Sequence, residues 1–204
     1  MVKTKLGATA VALTLGLVAP VVVAYEEAAD KVAVCAGCHG PNGHSQVADN
    51  PILAAQHADY LVNALRAYIS GERDYGIMKT LASRLAGGDI ERVAAYYAAQ
   101  TPMQSQAGSR GDAARGETLT AVCAACHGPG GQSVIATNPR LAGQHAGYLS
   151  TALKAYKNGG RNNPMMSPQA ANLSEQDIED IAAYYAAQPV QAADEATTAG
   201  GESR

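Results

Sequence analysis

Tryptophan and phenylalanine are absent from this 204-residue chain, and its ten tyrosines are its sole aromatic side chains. A core without the two largest apolar residues, and rich in alanine and glycine, buries little area per side chain. Divided into two units of roughly 80 residues, such a chain has a thin core. Scaffolds of that kind rely on disulfides, a metal or a cofactor. Spare cysteine is lacking too: all four cysteines fall in Cys35-Ala36-Gly37-Cys38-His39 and Cys123-Ala124-Ala125-Cys126-His127, so none remains for a structural bridge. There is no basic excess, the net charge being −3 with acids and bases interspersed in both halves. That balance excludes a nucleic-acid surface. Period-two alternation of apolar residues is also missing, which excludes a sheet.

One long apolar run is present, at the N-terminus. Lys3 and Lys5 precede an almost wholly apolar stretch from Leu6 to Val23, and Val22-Val23-Ala24 puts small residues where a leader is cut. The pattern predicts a secretory signal peptide over 1–24, with cleavage after Ala24. An uncleaved membrane anchor is the alternative. Either way the rest of the chain is expected outside the cytoplasm, where four cysteines ordinarily make two bridges.

C-x-x-C-H is instead the attachment signature of c-type haem. The two cysteines form thioethers to the haem vinyl groups, and the adjacent histidine reaches the iron. A redox-active C-x-x-C needs a strand-rich setting that is missing here. Zinc suits the ligand types but leaves the methionines below without a role. The runs lie 88 residues apart, and residues 31–100 slide onto 119–188 without a gap, identical at more than half the positions. Asn50-Pro51 meets Asn138-Pro139, Gln56-His57-Ala58 meets Gln144-His145-Ala146, and Ala94 to Gln100 recurs unchanged as Ala182 to Gln188. The chain is a tandem duplication.

Each copy reads as all-helical. A short helix carries C-x-x-C-H. A second, over about 57–70, presents Leu61, Ala64, Leu65 and Tyr68 as one apolar stripe, with Gly71 as its stop. A third spans about 89–100. Ser174 and Asp177 resemble a capping box for its counterpart. The expected domains are 25–102 and 115–190, joined by a linker over 103–114 and followed by a polar tail over 191–204.

A haem iron saturated by protein needs a second axial ligand. Met78 and Met166 each lie 39 residues after their histidine, and a thioether favours reduced iron. Met165, in register with Ile77, is read as packing. His57 and His145 are the rival ligands; as residues that open helices they are read as capping or packing. His44, opposite Gln132, reads as a surface residue. Pro51 and Pro139 follow the proximal histidines by twelve residues, and their carbonyls are candidates to accept the imidazole Nδ1–H. Arg73 and Arg161 precede the methionines by five and are candidates for the haem propionates. Tyr96-Tyr97 and Tyr184-Tyr185 read as core.

Two such domains, each with C-x-x-C-H, N-P-x-L-A-x-Q-H-A-x-Y-L and a methionine before a final A-A-Y-Y helix, resemble the cytochrome c4 family. The resemblance implies two covalently attached haem c groups, ligated by His39 with Met78 and by His127 with Met166, and lying near one another across the domain interface. It implies a periplasmic electron carrier, soluble or peripheral at the inner membrane, passing electrons from a quinol-oxidising complex to a terminal oxidase. It implies redox protein partners, with no nucleic acid and no small-molecule substrate. The alternative is a dihaem subunit of an oxidoreductase complex, such as flavocytochrome c sulfide dehydrogenase. Catalysis of its own, as in a dihaem peroxidase or a thiosulfate-oxidising cytochrome, needs an open iron or a spare cysteine ligand.

Overall fold

The computed structural model describes residues 19–191, and all but the first residue of the expected tail and most of the expected leader lie outside them. The described part of the chain is helical, with no strand longer than a single bridged pair. Copy 1 comprises α1 (Ala19–His39), α2 (Ala58–Ser70), α3 (Gly76–Ala82) and α4 (Asp89–Ala98). Copy 2 comprises α5 (Ala113–Leu119), α6 (Ala121–His127), α7 (Ala146–Lys157), α8 (Met166–Ala171) and α9 (Glu175–Ala187). No helix among the described residues is long and apolar enough to cross a membrane.

The apolar stripe of α2 buries Leu61 and Ala64, and Gly71, left-handed at φ 87°, ends the helix without a Cβ penalty. Ser174 and Asp177 form a reciprocal capping box at the start of α9. In each copy the N-terminal helix packs on the C-terminal one, α1 on α4 and α5 on α9. Val32, Leu61, Val93, Ala94 and Tyr97 form one core; Ala146, Leu149, Ile181, Ala182, Tyr185 and Ala186 form the other.

The short attachment helix expected in both copies occurs only in the second. In copy 1 the motif closes a continuous 21-residue helix that runs through the expected cleavage point. In copy 2 the helix breaks at Thr120 (φ −95°, ψ 2°), whose Oγ1 donates to the Glu117 carbonyl. The matched residue is Val32, which has no hydroxyl to compete for backbone bonds. Helix α5 begins at Ala113, capped by Asp112, inside the expected linker. Ser105 N–H bonds the Gly143 carbonyl and Gln104 Nε2 bonds the Ala186 carbonyl, so the connection is fastened to copy 2.

The copies face each other across an isologous interface: a contact from residue i to residue j recurs with the partners exchanged 88 positions on. Ile52 N–H donates to Gln144 Oε1 (2.8 Å) and Gln144 Nε2 to the Ile52 carbonyl (2.9 Å). Arg140 N–H donates to Gln56 Oε1 (2.9 Å) and Gln56 Nε2 to the Arg140 carbonyl (3.0 Å). Tyr60 N–H meets the Ala136 carbonyl as Tyr148 N–H meets that of Ala48, and Asp74 N–H meets the Gly160 carbonyl as Asn162 N–H meets that of Glu72.

Candidate cofactor sites

Each site is built on the end of a helix and the loop that follows. Cys35 and Cys38 lie one turn apart on α1, Cys123 and Cys126 one turn apart on α6, and all four thiols are free. Cys38 and Cys126 are exposed, whereas Cys35 and Cys123 are half-buried, and burial pushes both of those thiols up. Tyr97 and Tyr185, each 2% exposed, back these cysteines as core residues, and the Tyr185 hydroxyl is buried without a full hydrogen bond. Their neighbours Tyr96 and Tyr184 stand edge-on to them at 5.1 Å.

His39 and His127 end the attachment helices, with only 7% and 6% of their surface exposed. His39 Nδ1–H donates to the Pro51 carbonyl and His127 Nδ1–H to the Pro139 carbonyl, both at 3.0 Å. Burial pushes both imidazoles down despite these bonds, so they are neutral at pH 7. Among the described residues no hydrogen bond engages Nε2, and its lone pair is free to bind a metal. Asn50 Nδ2 donates to the Cys38 carbonyl (3.0 Å) and Asn138 Nδ2 to that of Cys126 (2.9 Å), tying each proline loop to its attachment helix. The repeated Asn-Pro pairs were visible in the sequence, but not this bond.

The turn between helix and loop depends on Gly43 and Gly131, left-handed at φ 79° and 78°. A Cβ on Gly131 would stand 2.8 Å from the Tyr185 ring and 2.9 Å from Leu141, and one on Gly43 would meet Tyr97 and Ala54 as closely.

Met78 lies within α3 and Met166 opens α8, both half-buried, on short helices the sequence did not announce. Met165 does not pack as expected: it is 68% exposed, like its counterpart Ile77 at 56%. His57 and His145 are turned the other way. His57 Nε2–H donates to the Ser133 carbonyl (2.8 Å) and His145 Nε2–H to that of Ser45 (3.0 Å), both across the interface. His44, expected at the surface, is partly buried and donates from Nε2 to the Thr101 carbonyl, as Gln132 does to that of Pro189.

Arg73 and Arg161 are buried and paired as a backbone bridge on the interface. Each guanidinium bonds a tyrosine hydroxyl, Tyr60 at 3.1 Å and Tyr148 at 3.2 Å, and lies over that ring at 5.3 Å. Burial would raise the Tyr148 phenol, but Arg161 and Arg73 together hold it below its ordinary value. Two buried cations without a carboxylate partner among the described residues suit an anion.

The donor set fits haem c. Each copy offers two thiols one turn apart, a neutral histidine with Nε2 free, a methionine at one shared register and a buried guanidinium. A bare metal ion is a poorer fit, since no three His, Cys, Asp or Glu side chains converge among the described residues.

The profile of the Cytochrome c family matches residues 26–104 and 113–187. The chain is 34% identical to cytochrome c4 of Pseudomonas aeruginosa over 188 residues, covering 84% of this chain and 93% of that one. It is also 34% identical to the thiosulfate dehydrogenase electron acceptor of Stutzerimonas stutzeri over 167 residues, or 74% of this chain and 77% of that one. The structure of reduced recombinant cytochrome c4 from Pseudomonas stutzeri superposes with a TM-score of 0.71 at 30% identity, covering 80% of this chain and 98% of the other.

Proposed function

The chain belongs to the cytochrome c family, in its dihaem cytochrome c4 branch, and from that premise we propose that it carries single electrons between redox proteins in the periplasm, from a quinol-oxidising complex to a terminal oxidase. Cys35 with Cys38, and Cys123 with Cys126, hold the two haem c groups. When bound, each haem supplies a one-electron change at its iron. His39 and His127 would hold the iron through Nε2. Met78 and Met166 would supply a thioether ligand, whose soft sulfur favours the reduced state. Arg73 and Arg161, with Tyr60 and Tyr148, would receive the propionates. Six of the nine large apolar residues exposed among the described residues fall in register between the copies: Val34 with Val122, Val47 with Ile135, Ile77 with Met165. Exposed apolar side chains repeated in this way suit brief docking of another redox protein.

The observation that carries this reading is the same in both copies. The buried histidine has Nδ1 tied to a carbonyl and Nε2 free, and the repeat places one methionine at a common distance along the chain, so each copy offers a histidine and a methionine that together would saturate a haem iron. Met78→Ala or Met166→Ala is expected to lower the potential of one haem and abolish its methionine–iron charge-transfer band, with the haem still attached. Two single variants that kept the full methionine signature would refute the assignment.

A second reading is supported by the relative named as a thiosulfate dehydrogenase electron acceptor: the chain serves as the dihaem subunit of an oxidoreductase, of which flavocytochrome c sulfide dehydrogenase is one type. Constant co-elution of the native protein with a dehydrogenase, in fixed stoichiometry, would favour it over a free carrier.

A further inference from the structure

The loop that supports each proximal histidine is also the loop held by the opposite copy, and the two bonds meet on one peptide group. The Pro51–Ile52 peptide accepts His39 Nδ1–H at its oxygen (3.0 Å) and donates its N–H to Gln144 Oε1 (2.8 Å). The Pro139–Arg140 peptide accepts His127 Nδ1–H (3.0 Å) and donates its N–H to Gln56 Oε1 (2.9 Å). Both glutamines are 7% exposed. Their orientation is fixed by chemistry: Oε1 also receives the N–H of His145 or His57, and Nε2 faces a carbonyl.

We propose that Gln144 and Gln56 are crossed positioning residues, each setting the electron affinity of the haem in the opposite copy through the single peptide that joins it to that copy's proximal histidine. This rests on the ligand reading above. A peptide whose N–H donates carries more negative charge on its oxygen, because consecutive hydrogen bonds polarise one another. The richer oxygen draws the Nδ1 proton and makes Nε2 a stronger donor to the iron, which favours the oxidised state. Removing the glutamine acceptor weakens this pull and favours reduction. Separation of the copies removes it from both sites at once, so docking and potential are linked.

The test uses the full-length haem-loaded protein and its Gln144→Leu and Gln56→Leu variants. Both potentials are followed by spectroelectrochemistry, with haems assigned from Met78→Ala and Met166→Ala, alongside the Nδ1–H proton resonances. In Gln144→Leu the His39 haem should become easier to reduce by about threefold, or about 28 mV at about 59 mV per tenfold. Its Nδ1–H resonance should move with it while the His127 haem stays in place; Gln56→Leu should do the converse, and either variant alone suffices. A shift confined to the haem of the substituted copy, an equal shift of both as a loosened interface would give, or no shift at all overturns the proposal. A wild-type protein without histidine–methionine spectra would overturn the ligand reading and this inference with it.

Discussion

The five histidines divide by what their ring nitrogens meet. His39 and His127 bond inward through Nδ1 and keep Nε2 free; His57 and His145 commit Nε2 across the interface; His44 holds the Thr101 carbonyl. Sequence spacing put Pro51 and Pro139 within the account because the offset from each histidine is the same. It could not tell which nitrogen of His57 is occupied, since that depends on a residue 76 positions away. Glycine replacement is predictable at this scale. Gly131→Ala combines a left-handed backbone with a Cβ 2.8 Å from Tyr185, and should cost about 2–4 kcal/mol. Gly37→Ala meets nothing within 4 Å on a helix and should stabilise by about 0.5–1 kcal/mol. Denaturant midpoints of the two variants would check both signs; copy 2 already carries Ala125 in the Gly37 register.

Among elements, α5 on α9 is the most closely fitted pair. A Cβ on Gly116 would stand 2.0 Å from the Asp180 carbonyl oxygen, so the crossing tolerates glycine alone. Arg115 then spans Asp177 and Asp180 on α9, and copy 1 has Arg92 in the Asp180 register. Bonds from Ser174, then Arg115, hold the Asp177 carboxyl at about 2, and the Asp112 N–H, with Arg115, keeps Asp180 low. Carboxyls depressed by folding stabilise the protein above their unfolded value of about 3.9 and stop doing so as pH falls toward the folded value. The thermal midpoint should therefore fall between about pH 4 and pH 2. Arg115→Gln should flatten that fall while lowering the midpoint at neutral pH. The capping box at Ser174 and the stripe on α2 were legible because both are local patterns. The Thr120 break and the short helices at Met78 and Met166 were not, because a few residues of weak periodicity are stabilised by what they pack against.

At the scale of the molecule, the interface joins groups that the sequence shows only as repeats. Burial pushes His57 and His145 below their ordinary value; for His57, Arg140 pushes in the same direction and Asp59 opposes. Imidazoles depressed in the docked state favour docking above about pH 6.5, and the gain is lost as pH falls below that value, because the separated state then binds more protons. Cleavage of the 103–112 connection by an added protease should accelerate between about pH 7 and pH 5. The double variant His57→Gln with His145→Gln, which keeps an Nε2–H donor at each place, should lose that acceleration.

By itself the sequence determined the two-copy, all-helical organisation, the haem-attachment chemistry and the family. These follow from short-range spacing and from an exact register, which survive without coordinates. Only the tertiary structure decided that the two copies hold each other through Gln56, Gln144, His57 and His145, and that Arg73 and Arg161 are buried on their shared face. The roles of the glutamines and histidines depend on backbone carbonyls some 76 to 100 residues distant. A carbonyl has no residue identity to read, so its partner becomes visible only once the chain has closed on itself.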